Sequence, residues 1–154
     1  MIMIETRLSE ILCNDAVAIR FSASCVEDAV AALMKPALEQ AGIGEEQQKT
    51  ILEAIKQREG CASTISPPLA LPHTRHACVS KIVAALGINR SGALEHDHDV
   101  QAVVSFVSPE TASAEHLRFL AGVAKLFRTR EAVDQLLEAQ SPEDVIEVLR
   151  RLGN

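Results

Sequence analysis

Two stretches decide the fold: Ile82-Val83-Ala84-Ala85-Leu86-Gly87-Ile88 and Val100-Gln101-Ala102-Val103-Val104-Ser105-Phe106-Val107. Both are short, rich in β-branched residues and bounded by turn formers, which is the pattern of buried strands. Working outward, residues 16–21 alternate weakly between apolar and polar and read as a first strand. Ser24 with Glu27 three residues on forms a capping box, and Val26, Val30, Leu33 and Met34 then place an apolar face at helical spacing. Pro36 is expected to kink or end that helix. After the break at Gly42 and Gly44, residues 45–58 read as a second helix with Ile51, Leu52 and Ile55 inward. Residues 60–68 form a loop of small, hydroxyl and proline residues that leads into a short apolar strand over 69–71.

The C-terminal third is helical. Ser113 is expected to cap a helix carrying Leu117, Leu120, Val123, Ala124, Leu126 and Phe127, and a short helix follows over 131–138. Ser141-Pro142-Glu143-Asp144 opens the last helix, with a capping serine and a proline at the first helical position. Helices, strands and helices in this order imply an α/β layered sandwich, a mixed sheet flanked by helices, built as a single domain over 1–154.

Composition excludes several function classes. Four Phe and no Trp or Tyr among 154 residues leave few platforms for stacking bases. A formal charge of −6 without a dense Lys/Arg run gives no footprint for nucleic acid or an anionic membrane. No apolar run approaches the roughly 18 residues of a membrane helix, so any membrane link is expected through partners. Cys13, Cys25, Cys61 and Cys78 show neither a C-x-x-C pair nor finger spacing, which suits reduced thiols in a cytoplasmic protein. No cofactor-binding pattern appears.

Five histidines are the candidates for chemistry. His96 and His98, in Glu-His-Asp-His-Asp between two strands, have a spacing that a metal could use, but an exposed polar turn is the favoured reading. His73 and His76 are three apart, but Pro72 and the preceding strand put them at a strand exit facing solvent, with no further ligands at metal spacing nearby. Pro72 stiffens that turn and Arg75 follows. A neutral imidazole is a competent nucleophile toward phosphorus, provided that its second ring nitrogen is held by a hydrogen bond; a backbone carbonyl in the turn can supply it. Taken alone, such a histidine is more often structural than catalytic.

The wider pattern changes the reading. Arg58-Glu59, Ser63-Thr64-Ile65, Leu69-Ala70-Leu71-Pro72-His73-Thr74-Arg75 and His116-Leu117 follow one another in order. Together with Ser9-Glu10-Ile11-Leu12, the stretch 100–109 and Ala139-Gln140-Ser141-Pro142-Glu143-Asp144, this series resembles enzyme IIA of the bacterial phosphotransferase system, fructose/mannitol and nitrogen-regulatory type, across almost the whole chain. The resemblance implies the layered α/β fold of that family and a phosphoryl carrier. Its phosphorylated histidine falls on His73, its phosphate-stabilising arginine on Arg58 and its second active-site histidine on His116. It also implies a histidine-containing phosphocarrier protein as donor, and a IIB domain or regulatory target proteins as the next partner. An interaction module with little or no phosphotransfer is the alternative.

Physical chemistry is consistent with those roles. A transferring phosphoryl group carries charge on three equatorial oxygens, which the planar fork of Arg58 suits. His116 is expected in the first turn after a Ser113 cap, where unpaired N–H groups favour an anion. Ser63, Thr64 and Arg75 are further candidates for phosphate contact. The chain departs from the family between Thr64 and the strand: Ile65-Ser66-Pro67-Pro68 replaces a glycine-rich stretch, so prolines stiffen a loop that elsewhere uses glycine for close backbone approach.

Overall fold

The computed structural model describes residues 6–61, 64–91, 93–94 and 98–154. Its organising element is a long strand, β8 (Ala102–Pro109), whose eight residues are all buried. On one flank it pairs antiparallel with β5 (Val83–Asn89), also buried throughout, and β5 pairs in parallel with β1 (Val17–Phe21). On its other flank run β3 (Leu69–Ala70) and then β4 (His73–His76), both parallel to it, while β2 (Ile65–Ser66) pairs antiparallel with β3. The result is a six-stranded mixed sheet. A separate antiparallel pair, β6 (Ala93–Leu94) with β7 (His98–Asp99), brackets the His96 segment, which lies outside the described residues.

Two continuous apolar strands require cover on both faces. Helix α2 (Val26–Gln40) lies on β5 and β8 through Val26, Ala29, Val30, Leu33, Met34, Ala37 and Leu38, all buried. Gly87 permits this approach: a Cβ there would stand 2.9 Å from Leu33 Cδ2 and 3.2 Å from Phe21 Cδ1. Because Gly87 is the register partner of Val103, and side chains alternate along a strand, Phe106 and Ser108 face the opposite side. There α4 (Ser113–Leu126) covers them, with Phe106 and Phe119 edge-to-face at 4.7 Å. Helix α3 (Glu45–Cys61) packs on α2 and β4, and α6 (Pro142–Arg151) on β1, α5 (Arg130–Leu137) and α1 (Leu8–Ile11).

The layered α/β sandwich inferred from the sequence is the observed architecture, with two local corrections to α2. The cap of α2 is Cys25, whose sulfur accepts from the Asp28 N–H at 3.4 Å, and Ser24 instead donates to the Asp28 carboxylate. Pro36 does not end α2, because Leu33 and Met34 before it and Ala37 and Leu38 after it are all anchored in the core. The helix stops where the sequence breaks, at Gly42, whose φ of +78° supplies the left-handed residue.

Arg90 and Asn154 fasten the periphery. The Arg90 guanidinium donates to the carbonyls of Ile19, Leu137 and Ala139, tying β1 to the end of α5. Asn154 accepts from Leu8 N through its side chain and from Ser9 N through its carbonyl, and its side chain donates to Gly122 O.

Candidate functional site

His73 does not leave the sheet. After β3 the chain continues along β8: Phe106 N donates to Pro72 O at 3.2 Å, and His73 then opens β4 in register with Phe106. Proline suits the break, since it has no N–H to contribute to the ladder. The expectation of a solvent-facing strand exit is therefore corrected: His73 is 4% exposed, its ring stacked on Phe106 at 5.0 Å and 7°.

Burial makes the ring's two nitrogens unequal. Nδ1 lies 2.6 Å from the Leu71 carbonyl, an acceptor only, so Nδ1 carries the proton and donates. Nε2 is left as a lone pair, buried and without a hydrogen-bond partner among the described residues. Burial also lowers the pKa of His73; the Leu71 carbonyl and Glu59 oppose this, and the charge of Arg58 reinforces it. The imidazole is thus neutral near neutral pH.

Beside it stands His116, with ring centroids 5.3 Å apart and 51° between planes. His116 is buried on α4, and its Nδ1 is hydrogen-bonded to Ser108 Oγ of β8. Burial, followed by repulsion from His73 in its protonated form and from Arg75 and Arg58, lowers its pKa from 6.5 to about 4. Ser113 does not cap this helix. The N-cap is Ala112, which makes no side-chain bond, and Ser113 is the first helical residue, its hydroxyl accepting from Arg75 Nη1 at 2.6 Å. His116 N already donates to Ala112 O, so its backbone is not one of the open N–H groups of that terminus.

Four of the residues expected from sequence are therefore close. His73 and His116 are in ring contact, Arg75 reaches the start of the same helix, and Arg58, exposed near the end of α3, acts on both histidines through its charge. Thr64 is engaged elsewhere: its N–H and hydroxyl both donate to the Glu59 carboxylate, at 2.8 and 2.7 Å. It meets a phosphoryl group only by releasing that carboxylate. Ser63 lies outside the described residues. His76 accepts from Cys78 N at 3.1 Å, away from this pair.

Phe106 and Ser108 belong to the site and were not singled out in the sequence. The signal for Ser108 was a hydroxyl continuing an otherwise apolar buried strand, where an unpartnered polar group is costly. The apolar run itself ends at Val107, one residue short of it.

Comparison with known proteins identifies the family and the fold. The family model described as "Phosphoenolpyruvate-dependent sugar phosphotransferase system, EIIA 2" matches residues 10–152. The PTS system fructose-specific EIIABC component of Bacillus subtilis is 32% identical over 103 residues, which cover 64% of this chain but 16% of that longer protein. Among solved structures, nitrogen regulatory protein IIA-Ntr from Neisseria meningitidis superposes with a TM-score of 0.79 at 22% identity, covering 92% of this chain and 98% of that one. The IIA mannitol enzyme of Escherichia coli, in a complex with phosphorylated enzyme IIB, gives 0.71 at 16% identity, covering 91% and 97%. Since the family model spans nearly the whole chain and the fold follows it from end to end, this protein belongs to the EIIA type-2 family of the phosphoenolpyruvate-dependent sugar phosphotransferase system.

Proposed function

We propose that this chain, acting as one EIIA domain, is a phosphoryl carrier: Nε2 of His73 accepts a phosphoryl group from a histidine-containing phosphocarrier protein. It then passes the group to a IIB component or uses it to control target proteins. The observation that carries this reading is the fixed tautomer of His73. With Nδ1–H committed to Leu71, the lone pair on Nε2 attacks phosphorus while the N–P bond of the donor phosphohistidine breaks, the leaving imidazole keeping the electron pair. The Leu71 carbonyl then faces the positive charge that develops on the phosphorylated ring, and Arg58 and Arg75 offset the negative charge of the phosphoryl oxygens. No described helix is long and apolar enough to cross a membrane, so association with a membrane permease would run through a partner.

Because Nε2 is closed off in this structure, the group reaches it only when neighbouring side chains move aside. That closure and the glycine-free loop at 65–68 favour a second reading, a regulatory interaction module in which phosphotransfer is slow or absent. Incubation with phosphoenolpyruvate and the general phosphotransfer proteins separates the two. The carrier gains one acid-labile phosphoryl group, which His73→Gln abolishes; a wild-type chain that gains none rejects the carrier and leaves the module.

A further inference from the structure

The partner of His116 on β8 assigns a role to a residue outside the expected set. Ser108 is fully buried, and its hydroxyl makes one hydrogen bond, to Nδ1 of His116. A hydroxyl has a single proton, and a buried donor left without an acceptor is strongly disfavoured. Among the described residues no other acceptor is hydrogen-bonded to this hydroxyl, so its proton goes to Nδ1. Ser108 therefore donates, Nδ1 holds the lone pair, and the proton of the neutral imidazole resides on Nε2, on the far side of the ring from Ser108. His73 is in the opposite state, with Nδ1–H bonded to Leu71 and the lone pair on Nε2. One strand thus arranges both rings: Phe106 stacks on the first, and Ser108, two residues on and so on the same face, bonds the second.

We propose that Ser108 is a positioning residue whose hydroxyl locks His116 as the Nε2–H tautomer, so that His116 offers a hydrogen-bond donor, and not a competing lone pair, to the phosphoryl oxygens held at His73. This rests on the carrier reading for its consequence, but the tautomer itself does not. A second lone pair at this place would repel the oxygens and compete with His73 as nucleophile. A donor stabilises them, and the carrier keeps a single acceptor atom.

The test uses the full chain, uniformly labelled with 15N, and long-range proton–nitrogen correlations of the His116 ring before any phosphorylation. The wild type is expected to show a protonated Nε2 and an unprotonated Nδ1. Ser108→Ala should give a mixture of tautomers, and Ser108→Thr, which restores a hydroxyl, should return the wild-type pattern. In loaded protein, Ser108→Ala should slow onward transfer by about tenfold, the size of one lost neutral hydrogen bond, with recovery in Ser108→Thr. A wild-type ring protonated on Nδ1 overturns the proposal, whether or not the alanine variant folds. So does a Ser108→Ala protein that keeps the wild-type tautomer and transfer rate. A chain that shows the expected tautomers but never takes up phosphate refutes the carrier, not the lock.

Discussion

His116 shows how burial converts an ordinary side chain into a pH-dependent one. Its folded pKa, about 4, lies below the 6.5 of an unperturbed histidine, so the unfolded chain binds more protons between these values. Stability from this group is complete above the unfolded value and is lost as pH falls toward the folded one. His73, shifted in the same direction, adds to this loss. Urea midpoints taken across that window should fall with pH, and His116→Gln should flatten the slope. A variant with the wild-type slope would show that the ring is not the titrating group. Arg58 sits at the other extreme, exposed and without a hydrogen bond or ion pair to the described residues. Arg58→Ala should leave the melting temperature unchanged but slow phosphoryl acceptance by about 10²-fold, as expected for removal of a positioned electrostatic donor; stopped-flow or quench kinetics with the phosphocarrier would measure it.

At the scale of elements, Gly87 leaves the room on β5 that Leu33 of α2 occupies. Gly87→Ala should destabilise the fold by about 1–3 kcal/mol, since Leu33 and Phe21 sit within the buried layer and must shift to admit a methyl group. A chemical denaturation curve superimposable on wild type would refute the tight contact. The elements most legible in the sequence carried their own boundaries. The last helix is one: Ser141 accepts from Asp144 N at 3.1 Å with Pro142 behind it. The two apolar strands are others, displaced by one or two residues. What escaped was set by distant partners. Ser113 has the composition of a cap but is taken by Arg75, 38 positions away. His73 reads as a turn residue because Pro72 interrupts the strand pattern, yet β8 supplies the ladder that carries the chain past the proline. Ser108-Pro109 reads as a turn and is instead the end of β8, paired with Arg75 and His76. The family resemblance, not local sequence, singled out the pair of histidines, and the strand that holds each ring follows from the sheet.

For the molecule as a whole, Asn154 draws α1, α4 and α6 together through side-chain bonds to Leu8 N and Gly122 O. Asn154→Ala should cost about 1–3 kcal/mol, read by calorimetry, with phosphoryl acceptance unchanged at low temperature because the clasp does not touch His73. The sheet order has a kinetic side as well. Strand β1 pairs with β5, at Val17 with Leu86, and β3, β4 and β5 all lean on β8, which leaves the ribosome after them. Such a topology rewards the chain only after large loops have closed, so it should refold more slowly than a helical bundle of the same length. Until β8 emerges, β5 lacks its antiparallel partner and β3 and β4 their parallel one, a condition in which nascent chains depend on chaperones. His73 acquires its stacking partner only when Phe106 arrives. A chain interrupted before β8 would carry the same histidine as a freely titrating imidazole, with neither nitrogen chosen for attack.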